Sequence, residues 1–351
     1  MPRIRFQGPL GLSLSSFLEL NKAAITTYLK RLIGRPMVAG WGINQEIGVR
    51  FWRRQWTRAM RAGDMTRARL ILDSVQTDTP DVYEVDIQAK DDPKECWYLP
   101  RTPKTRARVL YFHGGGYGFH GAMSRRFAAM LAHHLGAELF APEYRLTPEH
   151  PHPAQAEDAK AAWVYVTADR APEDVVVIGD SAGGHMTLCL LLSLQERGLE
   201  QPALAVGLCP WTDIGDRGKS LTENDRYDLV QGWMAVEFGR WLDPGGRFGR
   251  KALSPIAHDY TGLAPLYLQA GGREVLRDMI VDFAEVQARN GAQVMLDLWP
   301  QMPHDFQLFD STAPDAGAAL DRITHAVHWA MGERDGFAPG TMTVIGDSFR
   351  E

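Results

Sequence analysis

Residues Gly179-Asp180-Ser181-Ala182-Gly183 set a single hydroxyl between the β-branched run Val175–Ile178 and a helix-forming apolar run. A strand, a G-x-S-x-G turn and a helix make the pattern of a nucleophile elbow. Glycines permit a turn too tight for a Cβ, and the tightness strains Ser181 and lifts its Oγ clear of the sheet. The helix start offers unpaired N–H groups and the positive end of its dipole to a developing oxyanion. Without chemistry, the same residues would be a plain glycine turn.

A second stretch, Phe112-His113-Gly114-Gly115-Gly116-Tyr117, places three glycines after another buried run. Bare N–H groups there could hold a tetrahedral oxyanion. A phosphate loop is the rival, but the Walker Lys-Ser/Thr and the G-x-G-x-x-G spacing are missing. A third stretch, "QMPHDFQLF", sets His304 on a loop after the last predicted strand. A base at His304 and a nucleophile at Ser181 call for an acid between them, past a strand end. "LYLQAGGREVLRD" supplies Glu274, with Asp278 four residues on as the alternative acid. Asp180 reads as a loop anchor rather than a proton carrier, and Arg145 as a structural partner for an acid. His150, His152 and His185 lack metal-ligand spacing, so neither metal nor cofactor is expected.

Elements must bring these stretches together. Helical spacing runs from Phe17 to Ile33 and again through "EIGVRFWRRQWTRAMRAG". The second stretch, with Phe51, Trp52, Trp56 and Met60 among arginines, reads as a packed face rather than a membrane-surface helix. After Pro80, strands alternate with helical segments such as Ser124–Leu135, Asp158–Thr167 and Ala182–Arg197. That alternation predicts an α/β fold, a mostly parallel sheet covered on both faces. Ligands in such sheets gather beyond the carboxyl ends of the strands. Ser181, Glu274, His304 and the glycine triplet all follow such ends.

Bulk properties narrow the class. The 351 residues are 45% apolar and 23% charged, with a net charge of −5, which suits a globular chain with a sizeable core. With both signs well mixed and no long basic run, nothing calls for nucleic acid or an anionic membrane. Cys96, Cys189 and Cys209 show no disulfide or zinc spacing. No apolar run is long enough to span a bilayer and the N-terminus lacks a signal-peptide h-region, so a cytoplasmic protein is expected.

Several blocks together resemble the hormone-sensitive lipase family of α/β hydrolases: "HGGGY", "PEYRLTPEHPHPAQAEDA", "GDSAGG", "PWTD", "SPIAHDYTGLAPLYLQAGG" and "MPHDFQLF". They span roughly Val109 to Leu308. The resemblance implies the α/β-hydrolase fold with Ser181 as nucleophile, His304 as base, and Gly115, Gly116 and Ala182 as the oxyanion hole. Gly114 and Asp180 are secondary candidates. Relatives usually carry Asp where this chain has Glu274. The family also implies a helical cap in residues 1–85, with part of 215–249, and a catalytic domain in 86–335; the tail 336–351 shows no clear period and stays unassigned. A short- to medium-chain ester is the expected partner, because no long hydrophobic lid is evident, with a second copy of the chain kept as a further candidate. An amidase or acyltransferase would use the same triad, and a receptor would keep the fold without turnover.

Overall fold

The structure, a computed structural model, describes residues 4–77, 82–91, 94–310, 313–336 and 342–344. Strands β1 (Ile4–Phe6) and β2 (Val75–Thr77) form a small antiparallel ribbon. The main sheet contains β3 (Val85–Asp91), β4 (Lys94–Pro100), β5 (Arg108–Phe112), β6 (Glu138–Pro142) and β7 (Val175–Asp180). It continues with β8 (Leu204–Leu208), β9 (Leu266–Gly271), β10 (Val294–Trp299) and β11 (Met342–Val344). Their order is β11-β10-β9-β8-β7-β5-β6-β4-β3. From β6 to β11 the ladder is parallel; β4 and β3 close the other edge antiparallel.

Side-chain alternation divides the core. Leu110, Phe112, Val175 and Val177 face one helical layer, whereas Val109, Tyr111, Val176 and Ile178 face the other. Both faces are apolar because both are covered, as a parallel sheet requires. At the N-terminal end lie α1 (Leu10–Leu32), α2 (Ile43–Met60) and α3 (Met65–Asp73). Next come α4 (Ala122–Leu135), α5 (Ala154–Val166) and α6 (Ala182–Glu196), then the short α7 (Ser220–Glu223), α8 (Gly232–Leu242) and the short α9 (Arg250–Leu253). Helices α10 (Arg277–Asn290) and α11 (Pro314–Ala330) complete the set. Helices α4 and α11 cover the Tyr111 face; α5, α6 and α10 cover the Phe112 face.

Some elements differ from the sequence expectation. Helix α1 starts at Leu10, directly after Pro9, seven residues before the apolar periodicity became clear. Helix α3 was not expected; Asp64 caps it by accepting the Arg67 N–H at 2.8 Å. The α2 stripe packs inward through Phe51 and Trp56. In α1 the reverse holds: Ser16, Ala23 and Thr27 are buried, and Phe17, Ile25, Tyr28 and Leu32 are exposed. Within the C-terminal tail, Met342–Val344 joins the sheet edge beside β10; its remaining residues past 336 lie outside the described ones. No described helix is long and apolar enough to cross a membrane.

Candidate active site

Strand β7 runs into Ser181, whose backbone sits at φ 52°, ψ −115°. This is the left-handed region that non-glycine residues avoid, so the strain expected of an elbow is present. The turn is held by Ser181 N–H donating to Leu208 O at 2.9 Å and by Trp211 N–H donating to Ser181 O at 3.0 Å. A Cβ at Gly183 would overlap the Phe112 carbonyl, and one at Gly179 would overlap Gly183 itself. Both glycines are therefore demanded by close backbone approach.

The glycine triplet follows β5. Gly115 and Gly116 take φ values of 97° and 60°, and a Cβ on Gly116 would enter the Phe238 ring of α8. Among the described residues, the N–H groups of Gly115, Gly116 and Ala182 meet no protein acceptor. Gly114 differs, for its N–H donates to Asp180 Oδ1 at 2.9 Å. Tyr111 Oη donates to the same oxygen at 2.6 Å. Asp180 thus ties the triplet to β7 and β5. Burial pushes its carboxyl up to about 6, against the pull of those two donors. Below the triplet, Tyr117 Oη lies 2.7 Å from His185 Nδ1, and His185 Nε2 lies 2.7 Å from Leu253 O. Burial lowers the His185 pKa to about 4. A neutral ring donating to the carbonyl therefore accepts from Tyr117 and fixes the loop.

Past β9, Glu274 is fully buried, and past β10, His304 is 1% exposed. His304 Nδ1–H donates to Glu274 Oε2 at 2.7 Å, while Glu274 Oε1 accepts the Gly271 N–H at 2.7 Å. Asp278 is directed elsewhere: it accepts the Ser220 N–H at 2.9 Å and pairs with Arg277. Of the two acids, only Glu274 touches the imidazole.

Two further carboxylates were missed in the sequence. Asp228, buried in the loop before α8, accepts N–H groups from His304 (2.9 Å), Val275 (2.7 Å) and its neighbour Leu229 (2.7 Å). It clips the loops carrying the acid and the imidazole together, and burial pushes it up to about 7. No spacing rule would have found it. Asp305 follows His304 in a left-handed conformation (φ 48°), with Oδ2 3.3 Å from His304 Nε2. Burial lowers the His304 pKa, but the carboxylates of Asp305, Glu274 and Asp228 outweigh it and push the imidazole up to about 10. Asp305 is itself held well above the usual carboxylate range by burial, in spite of the imidazole. Among the described residues, no hydrogen bond joins Ser181 Oγ to His304, whose Nε2 faces Asp305 instead.

Cys209, His304 and Asp305 bring one ligand atom each within 4.8 Å of the others. Burial pushes the Cys209 thiol well up, and the other His304 nitrogen is taken by Glu274, so this trio suits a metal poorly.

Ser181, His304 and Asp305 line one cavity with the glycine triplet. Its volume is about 70 Å3. Leu229, Val230 and Phe238 wall it from one side, Trp56 and Leu72 from another.

A parallel sheet that delivers a strained serine, a carboxylate-held imidazole and free glycine N–H groups to one cavity defines the class of α/β hydrolases. The chain belongs to the alpha/beta hydrolase fold family, which matches residues 109–308, and within it to the hormone-sensitive lipase family. It is similar to an acetyl-hydrolase of Streptomyces hygroscopicus, 33% identical over 247 residues that cover 68% of this chain and 80% of that protein. Carboxylesterase NlhH of Mycobacterium tuberculosis is 29% identical over 257 residues, covering 67% of this chain and 80% of NlhH. The crystal structure of an esterase from the bacterial hormone-sensitive lipase family superposes with a TM-score of 0.71 at 28% identity, over 81% of this chain and 98% of that one. The protein is a carboxylic ester hydrolase.

Proposed function

We infer that the esterase works by two-step acyl transfer through Ser181, His304 and Glu274. The observation that carries this reading is the 2.7 Å contact from His304 Nδ1 to Glu274, on the rim of the cavity that Ser181 also lines. Oγ attacks the ester carbonyl as His304 Nε2 takes its proton, and Glu274 holds the tautomer and stabilises the imidazolium. The N–H groups of Gly115, Gly116 and Ala182 receive the oxyanion. His304 then protonates the leaving alcohol and activates the water that releases the acid. For the first proton transfer, Nε2 must pass from Asp305 to Ser181 Oγ. Such contacts commonly tighten only when substrate is bound.

Residues 1–85, with part of 215–249, act as a cap in this reading, since Trp56, Leu72, Val230 and Phe238 wall the cavity. The small, apolar cavity supports short to medium acyl chains, as does the name of the Streptomyces relative. An acyl-chain series from p-nitrophenyl acetate to octanoate tests the reading, with Ser181→Ala as control. Turnover should be highest for short esters and vanish in the variant. Full activity without the hydroxyl would overturn it.

A further inference from the structure

The face of α1 turned away from the protein is apolar. Leu10, Leu14, Phe17, Ile25, Tyr28 and Leu32 recur at intervals of three, four and eight residues and so share one stripe. All are exposed, Leu10 by 84% and Leu32 by 81%. Its opposite face, packed on α2, is built from Ser16, Ala23 and Thr27. A helix that merely covers a core has the reverse polarity. Scattered exposed leucines are ordinary; a stripe along 23 residues marks a surface that something else covers.

Charge identifies what covers it. The whole-chain charge of −5 hides a strong division, contrary to the even mixing read from the sequence. Residues 1–70 hold 13 Lys and Arg against three Asp and Glu, whereas residues 71–351 hold 25 against 40. Between α1 and α2 lies a groove of about 550 Å3 lined by Lys30, Arg50, Arg53, Arg54, Arg58 and Arg226, in which Arg50, Arg53 and Arg54 pair with Glu46, Asp225 and Glu19. Arg58 is held there by the neutral groups of Ser15, Ser16 and Gln55. Lys30 and Arg35, at the end of the stripe, are exposed.

We propose that α1 lies in the plane of an anionic lipid surface, with its apolar stripe sunk among the headgroups and the basic side chains of residues 1–70 against them. An apolar stripe flanked by cations is what such a surface selects. Two-fold pairing with a second copy would instead press two positive faces together. The docking rests on the N-terminal helices, with Arg226 beside them, and stands apart from the triad reading. Its consequence is a substrate class: Trp56 of α2 walls the cavity, so one helix separates the lipid from the site, and esters dissolved in that surface are delivered to it.

Vesicle flotation of the full-length protein tests this, comparing pure phosphatidylcholine with phosphatidylcholine containing about 30% phosphatidylglycerol. The wild type should partition at least about tenfold more to the anionic vesicles, and added salt should weaken it. Two variants, Leu14→Glu/Ile25→Glu/Leu32→Glu and Lys30→Glu/Arg35→Glu, should each lower that partition at least about tenfold. Turnover of water-soluble p-nitrophenyl acetate should stay within about twofold in both, which also reports an intact fold. Should the triple variant misfold, the Lys30/Arg35 pair still decides. A wild type that ignores anionic vesicles, or variants that bind as well as wild type, would overturn the proposal. So would sedimentation showing a dimer that the triple variant breaks, since the stripe would then belong to a second copy.

Discussion

Replacing Asp305 with Asn removes one negative charge from beside the imidazole and almost nothing else. Asn tolerates the left-handed backbone that residue 305 adopts (φ 48°), so the loop should hold its path. At 3.3 Å from His304 Nε2, a full charge would be worth roughly 5 kcal/mol at an effective dielectric constant of about 20. That caps the effect at roughly 3–4 pH units. His304 and Asp305 form a buried pair that titrates together, so the observed shift should fall below that cap, at about 1–2 pH units. The sign follows from the role of His304. A base must be neutral, and the acidic limb of kcat/KM marks where it loses its proton. The Asp305 carboxylate raises the pKa of His304; removing it lowers that pKa and makes the base available at lower pH. A pH-stat profile of a short ester from pH 5 to about 10 should therefore show the limb displaced downward in Asp305→Asn. A limb that stays in place or moves up would refute the reasoning.

Glu274→Gln keeps the size of the side chain and loses the charge that stabilises the imidazolium, so kcat should fall by about 10^4 with KM little changed. Steady-state kinetics read this directly. Gly116→Ala must place a Cβ at φ 60° and into the Phe238 ring; kcat/KM should drop by roughly 10^2–10^3 as the N–H loses its aim, while circular dichroism stays unchanged. Asp228→Ala leaves the buried N–H groups of His304, Val275 and Leu229 without their acceptor. A loss of about 3 kcal/mol or more is expected, read as a melting point lower by roughly 4 °C or more together with reduced kcat.

Much of the candidate site was legible because the proposed chemistry would constrain the backbone. A serine flanked by glycines between a β-branched run and a helical run has few other uses, and the overlaps at Gly179 and Gly183 show why no larger residue could stand there. The order of serine, acid and histidine likewise pointed to Glu274, which reaches His304 from the end of β9. Asp228 and Asp305 were invisible for a different reason. Their roles come from loops converging in space, and an aspartate in "YDLV" or after a histidine carries no periodic or spacing signal. The orientation of α1 was not legible because helical periodicity tells which residues share a face, not whether that face turns toward the protein. Its small residues Ser16 and Ala23 pack against α2, and that choice is made by the partner helix.

The central claim, that Ser181 becomes acylated during turnover, is tested most directly by mass spectrometry of protein quenched in the steady state with p-nitrophenyl acetate. An acetyl group on the peptide containing Ser181, absent after chase with water and absent in Ser181→Ala, is the predicted result. Turnover with that peptide unmodified at every time point, or acetyl lodged on another residue and lost at the rate of turnover, would contradict it.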